Sequence, residues 1–127
     1  GSSTRSVTQQ GPRMRLRSDI WVKAYVRTCA ANGASAYVVH HGDDAAGAIF
    51  IKVTGADRSA ELYGPAPAGL DSTDLDRRFV RLTAGGAIGD READTKLARE
   101  REFDSDVWIV EVEDRHGRHF LEQWLVG

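Results

Sequence analysis

The run Val107-Trp108-Ile109-Val110-Glu111-Val112 is apolar on both faces that a β-strand would present. Val107 and Ile109 share one face, and Trp108, Val110 and Val112 share the other. A strand of this kind needs cover on both sides, which places it at the centre of a sheet. Burying each of these side chains is worth roughly 1.5–3 kcal/mol, so the run dominates its neighbours. The wider stretch Phe103 to Asp114 therefore organises the chain. A charged helical segment leads into it, and a turn at His116-Gly117 leads out.

The segments before it have clear limits. Ser18 can cap a helix that runs to about Ala31 and stops at Asn32-Gly33. Asp19, Lys23 and Arg27 form its polar stripe. Ile20, Trp21, Val22, Ala24, Tyr25, Val26, Cys29 and Ala30 make an apolar face wider than one sheet requires. Ala36 to His41, Ala48 to Val53 and Ser59 to Tyr63 read as strands. In the second, Ile49, Ile51 and Val53 share a face, with Phe50 and Lys52 on the other. Short connections make an antiparallel meander the expected arrangement of the three.

Gly64 to Gly69 interrupts regular structure, and Asp71, Asp74 and Asp76 continue the loop. Arg77 to Thr83 reads as a fourth strand. After a glycine-rich segment, Asp90 can cap a second helix to about Glu102. Its inner face is thin: Ile88, Ala93, Leu97, Ala98 and Phe103. Past the central strand, Arg118 to Trp124 is expected to return as a hairpin strand, with a short helix as the alternative. The fold class that follows is α+β: a mostly antiparallel sheet of five to six strands with two helices.

The 127 residues suffice for one domain with a core of its own. Residues 1–13 are polar and without period, and Met14 follows them. They are expected to be an expression leader or disordered arm, with the single domain spanning 14–127. A hydrophobic fraction of 41% argues against disorder. A net charge of −2 gives no electrostatic case for nucleic acid. No apolar run has the length of a membrane span, so a membrane partner is not expected. The single cysteine, Cys29, cannot form an internal disulfide and fits a reducing cytoplasm.

Few residues suggest chemistry. His40 and His41 are adjacent on a strand and point to opposite faces, so they should not share a metal. His116 and His119 flank a turn and, with Asp114, have the donor types of a divalent site. A solvated turn carrying polar residues is the preferred reading, and no metal site is assigned. Asp104, Asp106, Glu111 and Glu113 are read as turn and wet-face residues, and Cys29 as a small buried hydrophobe. The catalytic residues are unknown, and no cofactor is assigned. The arrangement closest to enzyme chemistry is a strand, the loop Ala84-Gly85-Gly86-Ala87-Ile88-Gly89, and the helix at Asp90. Backbone N–H groups at a helix N-terminus favour anions.

Several stretches resemble the bacterial family catalogued as domain of unknown function 1491. They are Arg15 to Val22, Gly47 to Val53, Leu62 to Pro65, Phe103 to Asp114, and Gly117 to Glu122. The resemblance covers nearly everything from Met14 onward. It implies a small soluble bacterial protein and carries no catalytic residues. A second resemblance is local. Arg81-Leu82-Thr83-Ala84-Gly85-Gly86 is similar to the coenzyme-A loop of GCN5-type acetyltransferases, with Ala84 where that motif has its first glycine. It implies Arg81, Gly85 and Gly86 as binding residues for a phosphate ligand. The expected function is a non-catalytic binding or protein-interaction module, with an unknown protein partner or self-association. The alternative is an acyl-coenzyme-A-dependent transferase or phosphate-ligand binder using residues 84–90. An apolar patch left exposed for a partner is expected around Trp21, Tyr25 or Trp124.

Overall fold

The computed structural model of the protein describes residues 17–44, 47–66, 79–83, 85–122 and 124–125. In chain order the elements are α1 (Ser18–Ala31), β1 (Ser35–His40), β2 (Ile49–Thr54), β3 (Ser59–Pro65), β4 (Phe79–Arg81), β5 (Ile88–Gly89), α2 (Asp90–Phe103) and β6 (Trp108–Glu113). The six strands form one sheet in the order β1-β6-β2-β3-β4, with β5 alongside β3. The class is α+β, as the segment pattern implies. The expected leader, residues 1–13, lies outside the described residues, as do most of the loop after Gly64 and the first two residues of the expected fourth strand.

The meander is only half right. β2 and β3 pair antiparallel, with Ile51 opposite Tyr63 and Val53 opposite Glu61. β1 does not pair with β2. β6 lies between them, antiparallel to β1 and parallel to β2. The reason is the composition of β6. Apolar on both faces, it gains most where a strand flanks each edge and a helix covers each side. A direct β1–β2 pair would leave it at the margin. The intervening chain, ending in α2, serves as the long connection that a parallel pair needs.

The sheet is covered on both faces. On one, α1 buries Trp21, Val22, Tyr25 and Cys29 against Ile49, Ile51, Val53, Trp108, Val110 and Val112. On the other, α2 sets Ala93 and Leu97 over Phe50, Leu62, Val107 and Ile109. Alternation along β2 and β6 sends consecutive side chains to the two layers. Ser18 does not cap α1. It lies inside the helix, and its hydroxyl donates to the carbonyl of Gly47 at 2.7 Å. The helix start is thereby pinned to the β1–β2 connection.

No hairpin strand follows β6 among the described residues. Phe120 has φ +57, a left-handed conformation that a strand cannot contain. The segment instead folds under α1. Tyr25 donates its O–H to the carbonyl of His119 at 2.6 Å, and Leu121 is fully buried. Leu125 forms a parallel bridge with Phe79.

Candidate functional site

The exposed patch is not where the sequence places it. Trp21 and Tyr25 are buried, and Trp21 sits about 5 Å from the rings of Tyr25, Phe79 and Trp124. The aromatic face of α1 is spent on the core and on the C-terminal segment. The large apolar side chains left in solvent include three consecutive residues of β1: Tyr37 (47% exposed), Val38 (41%) and Val39 (47%).

β1 is an edge strand. Its inner edge pairs with β6, with Ala36 opposite Val112 and Val38 opposite Val110. Among the described residues, no backbone hydrogen bond from outside the sheet reaches residues 35–40. The strand reads Ser-Ala-Tyr-Val-Val-His, without lysine, acid or proline. Such residues usually blunt a free edge. The register slips between Val38 and His40, so Val39 is an extra residue in a bulge. His40 closes the bulge by donating from Nδ1 to the carbonyl of Val107 at 2.7 Å.

At the far end of this edge a cavity of about 270 Å³ opens between α1 and the sheet. Its floor is Val22, Val38 and Trp108, and its rim is Asp19, Lys23, His41 and Asp44. The His41 ring lies 4.1 Å from that of Trp108 and donates from Nε2 to Asp44 Oδ1 at 2.7 Å. Trp108 donates its indole N–H to the carbonyl of Asp43 at 2.8 Å. A helix-to-loop bond, Asp19 N–H to the Asp44 carbonyl, completes the wall. Gly42 and Gly47 permit this packing, because a Cβ at either would fall within 2.5 Å of the Asp106 carbonyl oxygen.

Behind the edge lies an ionic centre that periodicity does not reveal. Lys52 is 2% exposed, and its ammonium contacts Asp90, Asp94 at 2.9 Å and Glu111 at 3.8 Å. Burial alone would lower the lysine pKa, but hydrogen bonds to Asp90 and Asp94 and the charge of Glu111 raise it overall. The amine stays protonated and is no nucleophile. Tyr37 donates to Glu111 at 2.7 Å, and the bond to that carboxylate, with burial, pushes the phenol up to about 12. Lysine at an inward strand position was the available signal, since such a residue requires anions above it.

The remaining sequence candidates are dispersed. Arg81 lies on β4 with its guanidinium 3.4 Å from Glu61. Gly85 and Gly86 have open space where a Cβ would stand, and Gly86 has φ +115. The loop therefore offers accessible backbone, but α2 begins with Asp90 and carries Glu92 in its first turn. A concavity of about 430 Å³ takes Ala87 into its wall together with Asp57, Glu61 and His116, without Gly85 or Gly86. Asp114 is occupied by Arg118 through two bonds of 2.9 Å and by the N–H groups of His116 and Arg118. His119 Nδ1 accepts the N–H of Leu121. Among the described residues no cluster of His, Cys, Asp and Glu is placed to hold a metal ion. Cys29 is fully buried, which pushes its thiol pKa up. No helix among the described residues is long and apolar enough to cross a membrane.

The model of the family described as "Protein of unknown function (DUF1491)" matches residues 16–122. The fold is similar to the crystal structure of a DUF1491 family protein from Caulobacter crescentus CB15, with 32% identity and a TM-score of 0.74. That match covers 88% of this chain and 98% of the other. An NMR structure of a DUF1491 family protein from the same organism is similar to the same degree, over 92% and 100% of the two chains. The solution structure of protein Atu0922 from A. tumefaciens is 40% identical, with a TM-score of 0.70 over 80% and 87%. No curated protein matches the chain.

Proposed function

Since the chain belongs to the DUF1491 family, whose activity is unassigned, we propose that it is a non-catalytic, cytoplasmic binding module of bacterial origin that pairs an extended segment of a partner protein with β1. The observation behind this reading is the free edge itself. Among the described residues nothing pairs with the outer edge of Ser35–His40, which carries three exposed apolar side chains and no lysine, acid or proline of its own. Strand addition draws affinity from main-chain hydrogen bonds and specificity from pockets for alternate side chains. The phosphate-ligand alternative would rest on Arg81, Gly85 and Gly86, in surroundings made acidic by Glu61, Asp90 and Glu92.

A photo-crosslinking amino acid at position 39 tests the reading in cells, with position 99 on the solvent face of α2 as control. Adducts should concentrate at position 39. They should disappear when Val38→Lys adds a charge to the edge. Equal labelling at both positions, or adducts that survive Val38→Lys, would overturn it.

A further inference from the structure

Asn32 is the only asparagine of the chain, and Gly33 follows it. Both are exposed at the joint between α1 and β1. We infer that Asn32 is a modification site: water converts its amide to aspartate and isoaspartate, at a rate set by opening of this joint, and the product weakens the entry into β1. The inference does not depend on the binding-edge reading above.

The chemistry needs no reactant besides water. The backbone nitrogen of Gly33 gives its proton to solvent base and attacks the side-chain carbon Cγ of Asn32. A new C–N bond forms, the bond from Cγ to Nδ2 breaks, and the amide nitrogen leaves as ammonia. Water then adds to one of the two carbonyls of the cyclic imide. One opening gives aspartate. The other gives isoaspartate, whose main chain runs through the former side chain and is one methylene longer. Glycine obstructs the attack least, because it has no Cβ.

The folded joint holds the reacting atoms apart. Ring closure requires Cβ and the Gly33 nitrogen to eclipse about the Cα–C bond of Asn32, and the observed ψ of 9 keeps them far from that arrangement. Four hydrogen bonds resist the rotation. Gly33 donates its N–H to the Ala30 carbonyl at 3.1 Å, and Ala34 donates to Cys29 at 2.9 Å. The Asn32 side-chain amide donates to the Thr28 carbonyl at 2.8 Å. From across the joint, Arg118 Nη2 donates to the Asn32 carbonyl at 3.1 Å. Rotation about Cα–C moves that oxygen and the Gly33 nitrogen together, so the reactive geometry gives up Arg118 as well. Arg118 is itself fixed by its side-chain bonds to Asp114. The turn after β6 thus clamps the end of α1, and the reaction runs through local opening. Its products do not restore the joint. Aspartate replaces the donor to Thr28 with a negative charge at a helix C-terminus, where it is unfavourable. Isoaspartate also displaces the carbonyl that Arg118 holds.

The full chain is incubated at pH 8, folded and in guanidinium chloride, and position 32 is followed by mass spectrometry with fragmentation that separates the two acids. Both samples should convert there, with isoaspartate among the products, and the folded chain should be slower by about tenfold or more. The glutamines Gln9, Gln10 and Gln123 serve as internal controls. Arg118→Gln, shown to be folded by its amide spectrum, should raise the folded-state rate severalfold and leave the denatured rate unchanged. Where that variant does not fold, exchange of the Gly33 and Ala34 amides in the native chain takes its place, and conversion should rise in step with it across a temperature series. Converted chain, separated by its extra charge, should melt below its parent. The inference is overturned if folded and denatured chains convert at the same rate, if loss of Arg118 or opening of the joint leaves the folded rate unmoved, or if converted chain melts like its parent. It is equally overturned if Asn32 in the folded chain outlasts roughly a thousand denatured lifetimes, which would tie the reaction to global unfolding.

Discussion

Asp114 is the residue on which the exit from β6 depends. Its side chain is buried, and one guanidinium and two backbone N–H groups converge on it. The hydrogen bonds from Arg118, assisted by the N–H of His116, outweigh burial and hold its carboxyl well below the usual range. A depressed carboxylate stabilises the fold above its unfolded pKa of about 3.9 and loses that contribution as pH falls towards the folded value. Urea midpoints measured from pH 7 to pH 2 should therefore drop steeply in the native chain. Asp114→Asn should lower the midpoint at pH 7 and flatten the acid limb, so that the two curves converge in acid. Parallel curves would show that Asp114 is not the group responsible. The sequence places Asp114 in the turn, but as one of three metal-type donors. Its actual role needs Arg118 four residues on, a pairing visible in the numbering yet decided by the left-handed conformation at Gly117, φ +68.

At the scale of elements, α2 is the weakly attached one. Only Ala93 and Leu97 of this helix are buried, as its thin apolar stripe implies. Its hold on the sheet is supplemented by Lys52 reaching up to Asp90 and Asp94. Removing two of the three carboxylates around a buried ammonium leaves Glu111 alone beside it and is costly, about 1–3 kcal/mol, because the charge stays behind. Asp90→Asn with Asp94→Asn should lower stability on that scale and speed amide exchange along residues 93–103 more than along α1. Lys52→Met fills the same space without a charge and should be far better tolerated. Uniform loss of protection in both helices would contradict an ion-held α2. Lys52 could be placed on the Phe50 face by alternation, but its burial depended on a helix packed above, 38 residues later in the chain.

For the molecule as a whole, β6 joins the two layers. Trp108, Val110 and Val112 belong to the α1 layer, and Val107 and Ile109 to the α2 layer. Two cores that share one strand should melt together. Trp108→Ala should cost roughly 3–5 kcal/mol, the scale for deleting a buried aromatic. Denaturation followed by far-ultraviolet circular dichroism and by tryptophan fluorescence should still give coincident single transitions. An unchanged midpoint would contradict the central position of Trp108, and separated transitions would show that the layers fold apart.

Local pattern settled much of this protein. The periods of the strands, the two helices, the α+β class and the double-faced character of Val107 to Val112 are all properties of neighbouring residues. Periodicity of 2 or 3.6 states which side chains lie together whatever the rest of the chain does. What pairs with what was decided at longer range. Short connections favour a meander, but the gain from seating β6 between β1 and β2 outweighs them, and that gain exists only once both helices are in place. The edge position of β1 among the described strands is a consequence of this insertion. Residues 35–40 read identically as an inner strand or an outer one, so their exposure could not be seen until β6 had taken the place beside β2. The same holds for Trp21 and Tyr25, which look available on an isolated helix and are consumed by Phe79, His119 and Trp124 in the folded chain.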